Sequence, residues 1–184
     1  QFFDRMEIKD ALCYLRMIAC RDDMAFRRIV NKPKRNIGRR RMDFLTEKAQ
    51  EENTSLYETL KKYVEDPLFK KTKAGDFIDL IEYFTKDSEG KQVSEVLSAI
   101  LDESGYEKML RTEGSQERLD DLAELKQSIF EYESTAGEET SISDYLDHAA
   151  LFSNMDRGPE RDAVRLMTVH TAKGLEFPVV FLCG

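Results

Sequence analysis

From residue 5 to residue 152 the apolar residues of this chain return at intervals of three and four. An α-helix has about 3.6 residues per turn, so that spacing lines them up on one side of successive helices, which must bury those sides against each other. Asp4 and Glu7 have the spacing of a capping box, and Met6, Ile8, Ala11, Leu12, Leu15 and Ile18 then predict a helix over 5–20. Asp22 and Asp23 open a short helix that carries Met24, Phe26, Ile29 and Val30 and is closed by Pro33. A turn over 34–38 feeds a helix with Met42, Leu45 and Ala49 on one side. Thr54 or Ser55 caps the next helix, with Leu56, Leu60 and Val64 inward, and Asp66-Pro67 breaks the pattern. Further helices are expected near 74–86, over 93–101 with closure at Gly105, and over about 115–134, the last with an acidic, solvated outer face. Residues 87–90 and 136–140 read as loops, and Ser141 or Ser143 caps a final helix through Phe152.

After that the character changes. Residues 154–162 are polar and read as a linker, whereas 164–169 and 178–182 have strand composition. A domain boundary is therefore expected near 154–162, and both ends of the chain read as cuts through a longer protein. The 184 residues, 41% apolar, suffice for one core with a small appendage. No run is long enough to span a bilayer and no signal peptide opens the chain. Cys13, Cys20 and Cys183 have no metal-ligand spacing and cannot all pair, which points to reduced thiols and a cytoplasmic compartment.

The net charge of −8 hides an asymmetry. Residues 1–41 hold twelve Lys/Arg against five Asp/Glu, a net +7, and the remainder holds sixteen against thirty-one, a net −15. Eight of the cations, Arg27, Arg28, Lys32, Lys34, Arg35, Arg39, Arg40 and Arg41, fall in fifteen residues without an acid. They flank Asn36-Ile37-Gly38, a tight turn at a helix N-terminus, where outward N–H groups and the helix dipole favour a phosphate. Such a grip on a nucleic-acid backbone would be independent of base sequence. Taken alone, the same run also describes a solvated charged turn.

The segment 164–177, Val-Arg-Leu-Met-Thr-Val-His-Thr-Ala-Lys-Gly-Leu-Glu-Phe, is the second candidate site. A strand over 164–169 would deliver His170 to its carboxyl end, where open α/β sheets bind ligands. Thr168 and His170 can hydrogen-bond a nucleic-acid backbone, the imidazole can stack on a base, Gly174 permits close approach, and Glu176 can accept from ribose hydroxyls. By themselves these residues equally describe a strand–turn–strand with a satisfied histidine.

This segment resembles the fifth conserved motif of the UvrD/PcrA/Rep-type superfamily 1 DNA helicases, worded close to LMTVHxAKGLEF. Residues 2–10, 14–16 and 28–38 are similar to the start of the 2B subdomain of the same helicases, which usually have Gly where this chain has Asn36. Asn tolerates the left-handed region, so the turn can survive that change. Gly105-Tyr106, the stretch 118–122 and Leu125 are similar to later 2B helices. The resemblance implies a mainly α fold: a helical 2B subdomain over 1–153, the linker 154–162, and a short β-strand piece of the RecA-like 2A domain over 163–184. It implies a fragment of an ATP-dependent 3′-to-5′ DNA helicase of repair or replication. Thr168, His170 and Lys173 would face single-stranded DNA, and Gly174 and Glu176 the nucleotide. Duplex DNA would fall to Lys34, Arg35, Asn36, Ile37, Gly38, Arg39 and Arg40.

The chain contains no G-x-x-x-x-G-K-[ST] phosphate loop and no acidic Mg²⁺ motif. ATP and Mg²⁺ are therefore expected in the full-length parent, with no cofactor or metal bound by this piece and no activity of its own. The implied partners are DNA, the remaining helicase domains 1A, 1B and 2A, and repair or transcription proteins, in a bacterial, nucleoid-associated setting without a membrane. Two other readings stand beside this one. The acidic helices over 87–153 could be the working face of a non-enzymatic interaction module, or the chain could belong to a helicase–nuclease subunit with a similar 2B region.

Overall fold

The computed structural model describes residues 2–136, 140–155, 167 and 180–182. Its helices are α1 (Met6–Cys20), α2 (Asp23–Ile29), α3 (Arg39–Glu52), α4 (Leu56–Tyr63), α5 (Ala74–Asp87), α6 (Val93–Glu103), α7 (Tyr106–Thr112), α8 (Gln116–Ala136) and α9 (Ile142–Met155), with short 3₁₀ turns at Phe2–Asp4 and Pro67–Phe69. The fold is mainly α, as the spacing predicts.

Helix α1 is the central pillar. It buries Ile8, Ala11, Tyr14, Leu15, Met17 and Ile18 and packs against α2, α5, α6, α8 and α9. Ordinary surface helices bury one stripe; α1 is surrounded, so its inward face is wide. Tyr14 meets Tyr106 edge-on at 6.1 Å, and Phe26 of α2 meets Phe77 of α5 edge-on at 5.9 Å. The buried apolar side chains, from Ile8 on α1 to Ala149 on α9, form one continuous core.

Local signals fix most of the joints. Arg21 ends α1 in the left-handed region at φ 54°, and Asp22 caps α2 by accepting from the Ala25 N–H at 2.7 Å. Asp23 accepts from the Leu56 N–H at 2.9 Å, and Ser55 caps α4 by accepting from the Glu58 N–H at 3.2 Å. Ser141 and Asp144 cap α9 reciprocally, each side chain accepting from the other's N–H at 3.1 Å. Helix α6 is capped from a distance. Glu133 of α8 accepts from the Val93 N–H, the Ser94 N–H and the Ser94 hydroxyl, the last at 2.8 Å.

Three expectations are corrected. Asp4 and Glu7 form no capping box: Asp4 lies in the first 3₁₀ turn, Arg5 is the N-cap without a side-chain bond, and Glu7 turns inward against Asp121. Helix α7 was not expected; it is short and buries only Tyr106, Glu107 and Leu110, too few positions to show a period. Helix α9 runs through Met155, three residues beyond Phe152 and into the expected linker. The expected strand 164–169 lies outside the described residues except Met167, and at the described residues Met167 and 180–182 the chain carries no strand.

Candidate nucleic-acid interface

The basic run occupies the end of α2, a loop and the first turn of α3. Asn31 organises the loop from within, its Oδ1 accepting from the Arg35 N–H at 2.8 Å and the Ile37 N–H at 3.1 Å. Asn36 sits in the left-handed region at φ 60°, and its Nδ2 donates to the Lys71 carbonyl at 2.8 Å. The turn thus survives with Asn in place of Gly. Gly38 is the N-cap of α3 in an extended conformation, φ −84°.

Within this loop the side chains alternate. Lys34, Asn36 and Gly38 are exposed, whereas Arg35 and Ile37 are buried. Arg35 is the main revision of the expected duplex-facing set. Its guanidinium donates to the carbonyls of Ile29 and Val30 and to the Tyr14 hydroxyl, each at 3.0 Å, and lies 5.0 Å from the Phe77 ring centroid. The helix-end carbonyls of α2 need donors that water cannot reach, and Arg35 supplies them. It holds the loop's shape, with only 5% of its surface exposed. Ile37 offers no outward N–H, since Asn31 accepts it.

The other cations divide the same way. Asp10, only 2% exposed, gathers Arg28 Nε at 2.6 Å, Lys32 Nζ at 3.3 Å and the Tyr106 hydroxyl at 2.8 Å. Burial, then the Asp10 carboxylate, push the Tyr106 hydroxyl well up from its ordinary pKa, so it stays a donor. Arg27 donates to the Thr46 hydroxyl at 3.0 Å. Arg41 donates back to the Asn36 carbonyl at 3.1 Å and across to the Leu68 carbonyl at 2.6 Å. That leaves Lys34, Arg39 and Arg40, all exposed and, among the described residues, without an anionic partner. The N–H groups of residues 38–41, the open first turn of α3, also find no acceptor among the described residues.

Gly38 needs its lack of a side chain neither for φ nor for packing, because a β-carbon built there meets nothing within 4 Å.

One basic segment escaped the sequence reading. Lys73 N–H donates to the Arg35 carbonyl at 2.9 Å, so Lys70-Lys71-Thr72-Lys73 lies directly against the turn. The available signal was a second acid-free run over 67–75. The other predicted site residues, Thr168, His170, Lys173, Gly174 and Glu176, lie outside the described residues.

These features define, among the described residues, a mainly α-helical domain with a braced cationic turn at its surface. It belongs to the UvrD-like helicase C-terminal domain family, whose match spans residues 1–184. It is similar to the ATP-dependent DNA helicase PcrA of Staphylococcus epidermidis, at 38% identity over 191 residues, and to that of Staphylococcus aureus, at 37% over 191 residues. Each match covers 100% of this chain and 26% of the relative, so the chain spans about a quarter of the length of these curated relatives.

Proposed function

We propose that this chain is the 2B-type portion of an ATP-dependent 3′-to-5′ DNA helicase of repair or replication, and that its basic turn grips the phosphate backbone of the duplex ahead of the motor. The observation that carries the reading is the sorting of the turn: Lys34, Arg39 and Arg40 point outward around an open helix start, while Arg35, Arg28, Lys32 and Arg41 brace it from behind. A solvated charged turn has no need of that much internal scaffolding. Because no base-reading geometry is required, binding is independent of sequence.

Residues 1–153 form the regulatory, duplex-sensing unit, 154–162 the linker, and 163–184 a piece of the RecA-like 2A domain. In the whole protein Thr168, His170 and Lys173 face the single strand, and Gly174 and Glu176 face the nucleotide. ATP and Mg²⁺ supply the motor's free energy there; this piece alone neither hydrolyses ATP nor unwinds. Its partners are DNA and the domains 1A, 1B and 2A, with repair or transcription proteins as further contacts, in a bacterial cytoplasm at the nucleoid.

Replacing Lys34, Arg39 and Arg40 together by Ala is expected to weaken binding to duplexes of unrelated sequence equally. The slope of log K against log salt becomes shallower by up to about 2.7, roughly 0.9 for each phosphate no longer neutralised. A slope unchanged in fluorescence-anisotropy titrations at several salt concentrations would remove the turn from the interface.

A further inference from the structure

Besides the turn at 34–40, three more exposed cations share its surface. Lys70, Lys71 and Lys73 follow the 3₁₀ turn Pro67–Phe69 and, like Lys34, Arg39 and Arg40, have no anionic partner among the described residues. The nearest acid downstream, Asp76 in the first turn of α5, forms no ion pair with them.

This segment is held in a defined place. Asp66 caps its start, accepting from the Leu68 N–H at 2.8 Å. The Thr72 hydroxyl donates to the Phe69 carbonyl at 2.7 Å and accepts from the Ala74 N–H at 3.2 Å, which fixes the lysine turn itself. Phe69 is buried and meets Phe44 of α3 edge-on at 5.9 Å. Three hydrogen bonds then tie the segment to the basic turn: Asn36 Nδ2 to the Lys71 carbonyl at 2.8 Å, Arg41 Nε to the Leu68 carbonyl at 2.6 Å, and the Lys73 N–H to the Arg35 carbonyl at 2.9 Å. Six like charges brought together by two segments distant in sequence repel one another, at a cost to folding that grows as salt is lowered. Neither segment carries an acid to relieve it. A polyanion laid across both would relieve it, and a lone small anion could neutralise only part of the set.

We propose that Lys70, Lys71 and Lys73 form a second limb of the duplex-binding surface, contacting phosphates beside those held by the turn at 34–40. This rests on the reading of that turn as a DNA grip. Asn36 and Arg41 act as positioning residues that hold the two limbs at fixed spacing. Two limbs make the surface longer than one helix terminus, so the chain recognises a run of phosphates and not a single one.

The test uses the 184-residue chain and a blunt DNA duplex of mixed sequence, titrated from 50 to 300 mM NaCl. Lys70→Ala/Lys71→Ala/Lys73→Ala is expected to make the salt slope shallower by about 0.9 to 2.7 and to weaken binding about eightfold per phosphate released at 0.1 M salt. The same charge removed elsewhere, as Arg16→Ala/Lys86→Ala/Lys108→Ala, leaves the slope unchanged. The control triple keeps the melting temperature, and the 70/71/73 triple keeps it or raises it slightly at low salt, since its replaced side chains are exposed and their mutual repulsion is relieved. A slope altered by the 34/39/40 triple but not by the 70/71/73 triple would overturn the second limb and leave the first standing. Slopes altered by neither would overturn the DNA reading as a whole. An equal drop from the control triple would show bulk charge, not a site, and would also overturn the limb. So would undiminished binding of the 70/71/73 variant to duplex alongside lost binding to polyglutamate, which would mark the limb as a seat for an acidic protein.

Discussion

Arg35 offers the sharpest test, because charge alone assigns it to DNA and its surroundings assign it to the fold. Consider Arg35→Ala. The guanidinium makes three bonds at 3.0 Å, to the Ile29 and Val30 carbonyls and the Tyr14 hydroxyl. The Ile29 carbonyl keeps the Lys32 N–H at 2.9 Å, and the Tyr14 hydroxyl keeps the Lys32 carbonyl at 2.6 Å, but the Val30 carbonyl is deprived of its donor. One buried acceptor left unpaired costs about 1–3 kcal/mol. Removing the guanidinium from the Phe77 face adds about 0.5–2 kcal/mol, and the vacated space adds a cavity term. The sum is about 3–5 kcal/mol, set against the roughly 5–15 kcal/mol that stabilises a domain. For a chain of this size that corresponds to a fall in melting temperature of about 6–20 °C. Lys34→Ala, at an exposed position next door, changes stability by no more than about 0.5 kcal/mol. The DNA assay moves in the opposite sense. Below its melting temperature Arg35→Ala keeps the wild-type salt slope, whereas Lys34→Ala makes it shallower by about 0.9. Calorimetry and duplex titration on the two variants together decide the matter. An Arg35→Ala protein that melts like the wild type and binds DNA with a shallower slope would refute the burial argument.

Two further substitutions probe separate points. Gly38→Ala is expected to cost less than about 1 kcal/mol at the N-cap, yet to weaken duplex binding several-fold, because the added methyl enters space that the chain itself leaves open; an unaffected affinity in the same titration would mean that no partner approaches there. Glu7 is pushed above the ordinary carboxylate range by burial and by the facing Asp121 carboxyl, with Arg118 only partly opposing them. A group whose folded pKa is raised binds its proton more tightly when folded, so its contribution to stability falls as pH rises from the ordinary carboxylate value through the raised one. Glu7→Gln is therefore expected to melt higher than the wild type at pH 7 and to lose that advantage in acid; a lower melting temperature at pH 7 would show that the Arg118 ion pair outweighs the burial.

The long helices were legible because α1, α5, α6 and α8 each bury residues at spacings of three and four, a pattern that survives averaging over a whole helix, and α3 buries Leu45 and Ala49 four apart. Joints were legible where one side chain within three residues did the work, as at Asp22, Ser55 and Ser141. They were not where the partner came from far along the chain. Glu133 caps α6 from α8, and Asp121 draws Glu7 inward away from the capping role its spacing suggests. Local grammar cannot register a competitor more than a hundred residues away.

For the site the difficulty was orientation, not composition. Eight cations within fifteen residues say that positive charge is present, but not which charges face water. The deciding clue was an apolar neighbour. Ile37, the apolar residue of the turn, is buried and Arg35 is buried with it, while Lys34, Asn36 and Gly38 face out, an arrangement set by Asn31, which accepts from the N–H groups of Arg35 and Ile37, and by the left-handed bend at Asn36 between them. Arg35, once inside, has to find acceptors, and it finds them in the carbonyls left open at the end of α2. The same logic separates the rest of the run: a cation beside a buried carboxylate such as Asp10 belongs to the fold, and one with only solvent around it is available to a ligand. A basic run is thus better read as two interleaved sets, one that shapes the loop and one that the loop displays. The displayed set is completed from 70–73, a segment that shows its relevance only once the Arg35 carbonyl is seen to hold it in place.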